Sequence, residues 1–193
     1  MRPTMIVVAG PPGSGKSSIF PVSKFGTPYL NADDRAAELN GGSYLAIPKH
    51  IRQIVNQEFE SFVSDCIDKG ESFAIETTLR SGITFDQAAR AKATGFTSEM
   101  RYLALADFAM HVERVRVRAD AGGHAASETT LRRTYEASLT NLPRAIAEMD
   151  YLWIYDNSQF GGLPTLLLES ANGEIRFLTN NLPNWLSVVL GIS

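Results

Sequence analysis

Gly10-Pro11-Pro12-Gly13-Ser14-Gly15-Lys16-Ser17 places a glycine, four residues, then Gly-Lys-Ser, and Ser18 extends the run. Glycines let backbone N–H groups approach a phosphate chain, and a helix starting at their end adds partial positive charge. Lys16 is the cation for β- and γ-phosphates, and the Ser17 hydroxyl is a ligand for Mg²⁺. An apolar, β-branched run, Thr4 to Ala9, precedes this loop. The competing reading is a plain glycine-rich turn, which that strand and the Lys-Ser pair make poor.

Three further groups can do chemistry. Asn31-Ala32-Asp33-Asp34 follows a short apolar stretch. A carboxylate there can accept the proton of an attacking hydroxyl. Asp33 is the first candidate and Asp34 the second, while either could instead cap the helix running through Arg35 and Leu39. Glu76-Thr77-Thr78-Leu79-Arg80 follows another apolar run. Glu76 can reach a metal's water shell, the threonines offer hydroxyls, and Arg80 offers a planar cation for an anion; a capping turn with a solvated arginine would look the same. Arg114, Arg116 and Arg118 precede Gly122-Gly123-His124, and Arg132-Arg133 follow. Arg114 and Arg118 stand four apart on one helix face, where like charges cost stability unless an anion lies between them. Arg132 and Arg133 point about 100° apart, so one of the two would face a site. A solvated helix face is the alternative. Tyr155-Asp156-Asn157-Ser158 reads either as a turn beneath a nucleotide base or as a polar loop. His50, His111 and His124 show no metal-ligand spacing.

The elements that must position these groups alternate. Strands are expected over Thr4–Ala9, Pro28–Asn31, Ser72–Glu76, Glu99–Leu105 and Tyr151–Tyr155. Between them lie a short helix from Gly15 limited by Pro21, a long amphipathic helix over Pro48–Lys69 stopped by Gly70, and a helix over 84–94. Asp107 caps a helix to about Arg118, Ser127 caps one through Leu139, and Pro143 separates a shorter one ending near Met149. A hairpin over Pro164–Glu169 and Glu174–Leu178, turned by Ala171-Asn172-Gly173, precedes a last helix opened by Pro183. The pattern predicts one α/β domain over 1–193. It has three layers: a P-loop NTPase-type parallel sheet, helices flanking it, and a C-terminal antiparallel β-hairpin. A lid spans about 118–133, and the hairpin and last helix about 163–191.

Composition narrows the classes. The chain has 193 residues, enough for one domain, and a formal charge of −3 with pI near 5.6. That balance disfavours broad nucleic-acid or anionic-membrane binding. The lone Cys66 allows no intrachain disulfide and reads as a core residue. The apolar run after the N-terminus is too short for a signal or a membrane span, so a cytoplasmic protein is expected.

GPPGSGKSS, LNADD, IETTLRS, GGH followed by LRRTYEASLTNL, and YDNS occur in that order. In this the chain resembles the zeta-toxin-like P-loop kinases, including the group called predicted ABC-type ATPases. The resemblance implies an ATP- and Mg²⁺-dependent kinase whose toxin members phosphorylate the 3′-hydroxyl of a UDP-N-acetylamino sugar. It implies that Asp33 deprotonates the acceptor, that Glu76, Thr78 and Arg80 serve the substrate side, and that Arg118 with Arg132 or Arg133 contacts ATP phosphates. It also implies that a helical antitoxin protein can be a partner. The lid departs from the family pattern: Ala125-Ala126-Ser127 stands where Val-Pro usually follows GGH, and Thr134 replaces a third arginine. No LSGGQ-like signature accompanies Gly122-Gly123, against an ABC-type transporter ATPase. The expected function is transfer of the γ-phosphate to a small-molecule hydroxyl, UDP-N-acetylglucosamine being one acceptor. The alternatives are another small-molecule, nucleotide or polynucleotide kinase, and a nucleotide-binding or hydrolysing regulator that transfers nothing.

Overall fold

The computed structural model describes residues 2–120, 126–159 and 161–192. Strand β1 (Thr4–Ala9) is buried along most of its length, as its uninterrupted apolar sequence requires. Its alternation feeds two cores. Met5, Val7 and Ala9 join the main cluster, while Ile6 and Val8 join a smaller one with Val22 and Ala74. Two cores on opposite faces of one sheet make the expected three layers.

Seven strands lie in the order β2-β3-β1-β4-β5-β6-β7. The first five, β2 (Tyr29–Leu30), β3 (Phe73–Thr77), β1, β4 (Thr97–Ala104) and β5 (Tyr151–Asp156), run parallel. β6 (Thr165–Ala171) and β7 (Glu174–Leu178) are antiparallel additions. Their hairpin turns through Asn172 and Gly173, both at positive φ (51° and 82°), which suits the right-handed twist of the strands. β2 is shorter than its apolar stretch suggested. β4 begins earlier than the expected Glu99, because Thr97 is already paired with Thr4 and donates to the Pro3 carbonyl.

Register sets the position of the site. Ala9 lies beside Thr77 on one side and Tyr102 on the other. The segments leaving β1, β3 and β4 therefore emerge at one edge, the carboxyl end of a parallel sheet, where ligands of open α/β sheets bind.

Helix α1 (Lys16–Ile19) is brief, ending before Pro21, and a 3₁₀ turn follows at Val22–Lys24. Helix α2 (Ala32–Leu39) packs on α3 (Lys49–Lys69) through Ala36, Ile51 and Val55. Gly70 stops α3 in the left-handed conformation, φ 64°. Helix α4 (Ile83–Ala93) adds Phe85, Ala88 and Ala91 to the main core. Helix α5 (Phe108–Asp120) is capped by Asp107, whose carboxylate accepts from Met110 N–H at 2.9 Å. Helix α6 (Glu128–Thr140) is capped by Ser127, and α7 (Leu142–Glu148) and α8 (Asn184–Leu190) complete the chain. Tyr102 and Ser138 share a buried hydrogen bond of 3.0 Å, tying the sheet to α6. Among the described residues no helix is long and apolar enough to cross a membrane.

Candidate phosphate and acceptor site

The loop between β1 and α1 has the backbone its glycines foretell. Gly10, Gly13 and Gly15 sit at φ 140°, 79° and 92°, all unfavourable for a side chain. A Cβ at Gly10 would collide with the Leu103 carbonyl oxygen, and one at Gly13 would come within 2.7 Å of the His111 carbonyl oxygen. Lys16 opens α1 almost fully buried, and its ammonium donates to the carbonyls of Gly10 (2.8 Å) and Pro11 (3.2 Å). Burial lowers its pKa from the ordinary lysine value; Glu76 and Asp33 oppose that shift and Arg118 adds to it.

Three groups brace this loop from outside, and the sequence pattern did not reveal that work. His111 of α5 is buried and bridges two backbones. Its Nε2 accepts from Leu105 N–H at 3.1 Å, so the ring proton must lie on Nδ1, which donates to the Pro12 carbonyl at 2.8 Å. Burial pushes its pKa down to about 4, so the ring is neutral near pH 7. Asn157, at the end of β5, donates to the Ser14 carbonyl at 2.9 Å, and its amide fills the space where a Gly15 Cβ would stand. Arg114 donates in turn to the Asn157 carbonyl at 2.8 Å. Arg114 and Arg118 are thus not an equivalent pair of like charges: Arg114 is taken up by the loop after β5. The only signals for these roles were the Asn following a strand end and a histidine one helical turn after a cap.

Ser17 meets Glu76 directly. Its hydroxyl reaches both carboxylate oxygens, at 2.9 and 3.2 Å. Burial raises the pKa of Glu76, with Lys16 and the Ser17 hydrogen bond pulling it back. A hydroxyl and a carboxylate together are hard oxygen donors of the kind that fit Mg²⁺. Among the described residues no cluster of three or more His, Cys, Asp or Glu offers an all-protein metal cage.

β2 delivers the acidic pair. Asn31 caps α2, its side-chain oxygen accepting from Asp33 N–H (3.0 Å) and Asp34 N–H (3.3 Å). The cap is therefore neither aspartate, because Asn31 occupies the extended position before the helix and both aspartates lie inside it. The two also differ from each other. Asp34 accepts a hydrogen bond from the Tyr44 hydroxyl at 2.8 Å. Asp33 is exposed, its side chain makes no hydrogen bond or ion pair among the described residues, and its charge acts on both Lys16 and Glu76. Arg35 fastens α2 to α3 with a bidentate grip on Glu58, at 2.7 and 3.0 Å.

The turn after β3 holds a non-glycine residue in the left-handed region: Leu79, φ 56°, fully buried. The Thr77 hydroxyl accepts from Leu79 N–H (3.1 Å), and Asn141 donates to the Leu79 carbonyl (2.9 Å). Backbone held this way at a sheet's carboxyl edge directs its neighbours, here Thr78 and the exposed Arg80.

The arginines of the expected lid separate by environment. Arg118, near the end of α5, is exposed, and its charge reaches Lys16. Arg132 lies over the Phe108 ring at 4.1 Å and 3.6 Å from Glu128. Arg133 is exposed and has no ion pair among the described residues. Gly122, Gly123 and His124 lie outside the described residues.

No family model and no curated protein matches the chain. Solved structures share its fold. One comes from the PezAT chromosomal toxin–antitoxin system of Streptococcus pneumoniae: TM-score 0.63, 15% identity, covering 97% of this chain and 78% of that one. Another is AvrRxo1-ORF1:-ORF2 with ATP: TM-score 0.70, 15% identity, covering 99% of this chain but 63% of that one. A third is from the Pnkp1/Rnl/Hen1 RNA repair complex: TM-score 0.59, 16% identity, covering 74% of this chain and 46% of that one. The chain thus spans less than two thirds of the second and third. At these identities the likeness establishes the fold alone: a mostly parallel sheet flanked by helices, with a glycine-rich loop after its first strand.

Proposed function

We propose that the chain is a zeta-toxin-type kinase that moves the γ-phosphate of ATP to a hydroxyl of a small molecule, with UDP-N-acetylglucosamine the first acceptor to test. One observation carries this reading. Lys16, the Ser17–Glu76 pair and an unengaged Asp33 converge at one sheet edge, close enough for the Asp33 charge to act on both Lys16 and Glu76. A protein that only binds or hydrolyses nucleotide needs the first two; the free carboxylate fits an acceptor hydroxyl.

In the reaction, the acceptor oxygen forms a bond to the γ-phosphorus as the bond to the β–γ bridging oxygen breaks. ADP leaves, and the acceptor proton passes to the Asp33 carboxylate. The loop N–H groups from Gly10 to Ser18 hold the phosphate chain, and Lys16 neutralises β- and γ-oxygens. Ser17 and Glu76 would hold Mg²⁺, which would supply positive charge against those oxygens. Thr78 and Arg80 orient the acceptor. Arg118, with Arg132 or Arg133, meets the charge developing on the transferred group. His111 and Asn157 keep the loop in shape without touching substrate. A protein antitoxin is the partner to look for, since two of the fold's relatives were solved as toxin–antitoxin or two-component complexes.

The test is a panel of UDP-sugars, nucleosides and RNA oligonucleotides incubated with γ-labelled ATP, Mg²⁺ and the protein. Label in a UDP-sugar is expected. Label confined to oligonucleotide 5′ ends would replace the acceptor with a polynucleotide, against the net charge of −3. Phosphate release with no labelled product would overturn the kinase reading.

A further inference from the structure

The loop joining α2 to α3 is built around one side chain that the reading above leaves without a task. Asn40 closes it from within, donating from its amide to the carbonyls of Ser43 (2.9 Å) and Leu45 (3.0 Å). Gly42 N–H donates back to the Ala37 carbonyl at 2.8 Å, and Leu45 N–H donates to the Ser43 hydroxyl at 3.2 Å. Ala46 turns the chain at φ 48°. Closed in this way, the loop presents Tyr44 to the first turn of α2, where its hydroxyl donates to Asp34 at 2.8 Å.

Three consequences follow from that bond. The phenol is held at one end, so the ring has a fixed position beside the aspartate pair and loses less freedom when something packs on it. Asp34 is engaged, which leaves Asp33 as the carboxylate open to a hydroxyl. The phenol thus stands one residue from Asp33 along the first turn of α2. Next to it in the chain, Leu45 (46% exposed) is an apolar group left to solvent. Tyr44 and Leu45 together offer an apolar wall on this side.

We infer that Tyr44 is a specificity-determining residue of the acceptor site: its tethered ring, with Leu45 next to it, is the surface on which the acceptor packs a ring face while Asp33 receives the adjacent hydroxyl. The inference rests on the kinase reading and deepens it. The acceptor it selects carries a planar or saturated ring, as a sugar, nucleoside or cyclic polyol does, and not an open-chain alcohol. Aromatic rings hold such faces by close packing over their π surface.

The test takes whichever acceptor is labelled in the panel above and measures its KM and kcat, with a separate titration of a fluorescent ATP analogue. Tyr44→Ala is expected to raise the acceptor KM roughly tenfold, the scale of one lost aromatic contact. Tyr44→Phe, which keeps the ring but unties it, is expected to raise it about threefold, the scale of one hydrogen bond. Nucleotide affinity should stay unchanged in both. A Tyr44→Ala protein with normal acceptor KM would overturn this inference and leave the kinase reading intact. If the wild type labels no acceptor while hydrolysing ATP, the kinase reading fails and this one with it. Leu45→Ser serves as a second variant outside the Tyr44–Asp34 bond. A KM that rises in it supports the apolar wall, and a KM that stays put alongside a normal Tyr44→Ala KM removes the wall altogether.

Discussion

The two walls of the cleft are built differently. On the phosphate side, the loop from Gly10 to Ser17 is fixed from within by its glycine geometry and by Lys16, and from without by His111, Asn157 and Arg114. Its key side chain is buried. On the proposed acceptor side, Asp33 stands exposed on a helix held by its Asn31 cap, the Tyr44 and Arg35–Glu58 contacts, and a small apolar core of Ala36, Ile51 and Val55. A phosphate chain is the same in every nucleotide, so its cradle can be rigid and deeply braced. An acceptor varies, and the region proposed to meet it carries fewer hydrogen-bonded ties. On the proposed reading, precision lies on the donor side and adaptability on the acceptor side.

Substitutions can break this contrast, and the largest effects belong to the braced wall. Lys16→Ala should lower ATP turnover at least about a hundredfold, since among the described residues no other lysine ammonium bonds to the loop; full turnover in that variant would refute the phosphate assignment. Gly10→Ala forces a Cβ into the Leu103 backbone, a clash that side-chain movement cannot relieve. It should cost roughly 3 kcal/mol or more in denaturant unfolding, with nucleotide binding lost in parallel.

The next effect is one of pH. The folded pKa of His111 is about 4, below its ordinary value of 6.5. Between these values the unfolded chain takes up a proton that the folded one refuses, so stability is fully present above about pH 6.5 and falls as pH drops toward 4. The loss is roughly 3 kcal/mol. Unfolding of the wild type and of His111→Gln across this range should show a slope that the variant lacks; equal slopes would detach His111 from the loop's stability. Smallest is Asn157→Ala, which leaves the Ser14 carbonyl without its donor. It should weaken nucleotide binding by about 1–2 kcal/mol, read by titration, with the acceptor KM unmoved.

How much was legible in sequence follows the same division. The donor loop is written in consecutive residues, because its chemistry needs fixed local spacing: Gly10 to Ser17 could be read directly. The strands around it followed from uninterrupted apolar runs, though not their order in the sheet, and the C-terminal hairpin from Asn172-Gly173. The braces were not legible. His111 and Asn157 lie far from residues 12 and 14 along the chain, and only the meeting of α5 and β5 with the loop gives them a role. The cap of α2 was misplaced by two candidates, since Asn31, Asp33 and Asp34 are all good cap residues and only backbone position separates them. Tyr44 carried no pattern at all. Its use depends on a loop closed by Asn40 and on a hydrogen bond across ten residues.

The most direct test of the account compares two neighbouring carboxylates. Phosphoryl transfer to the labelled acceptor is measured for the wild type, Asp33→Asn and Asp34→Asn, with ATP binding measured alongside. The account predicts that Asp33→Asn loses transfer by a factor of about 10²–10⁴ while binding ATP normally, the range for a lost general base. Asp34→Asn, whose amide can still meet Tyr44, should keep most of its transfer. Equal transfer by wild type and Asp33→Asn, or loss confined to Asp34→Asn, would contradict it.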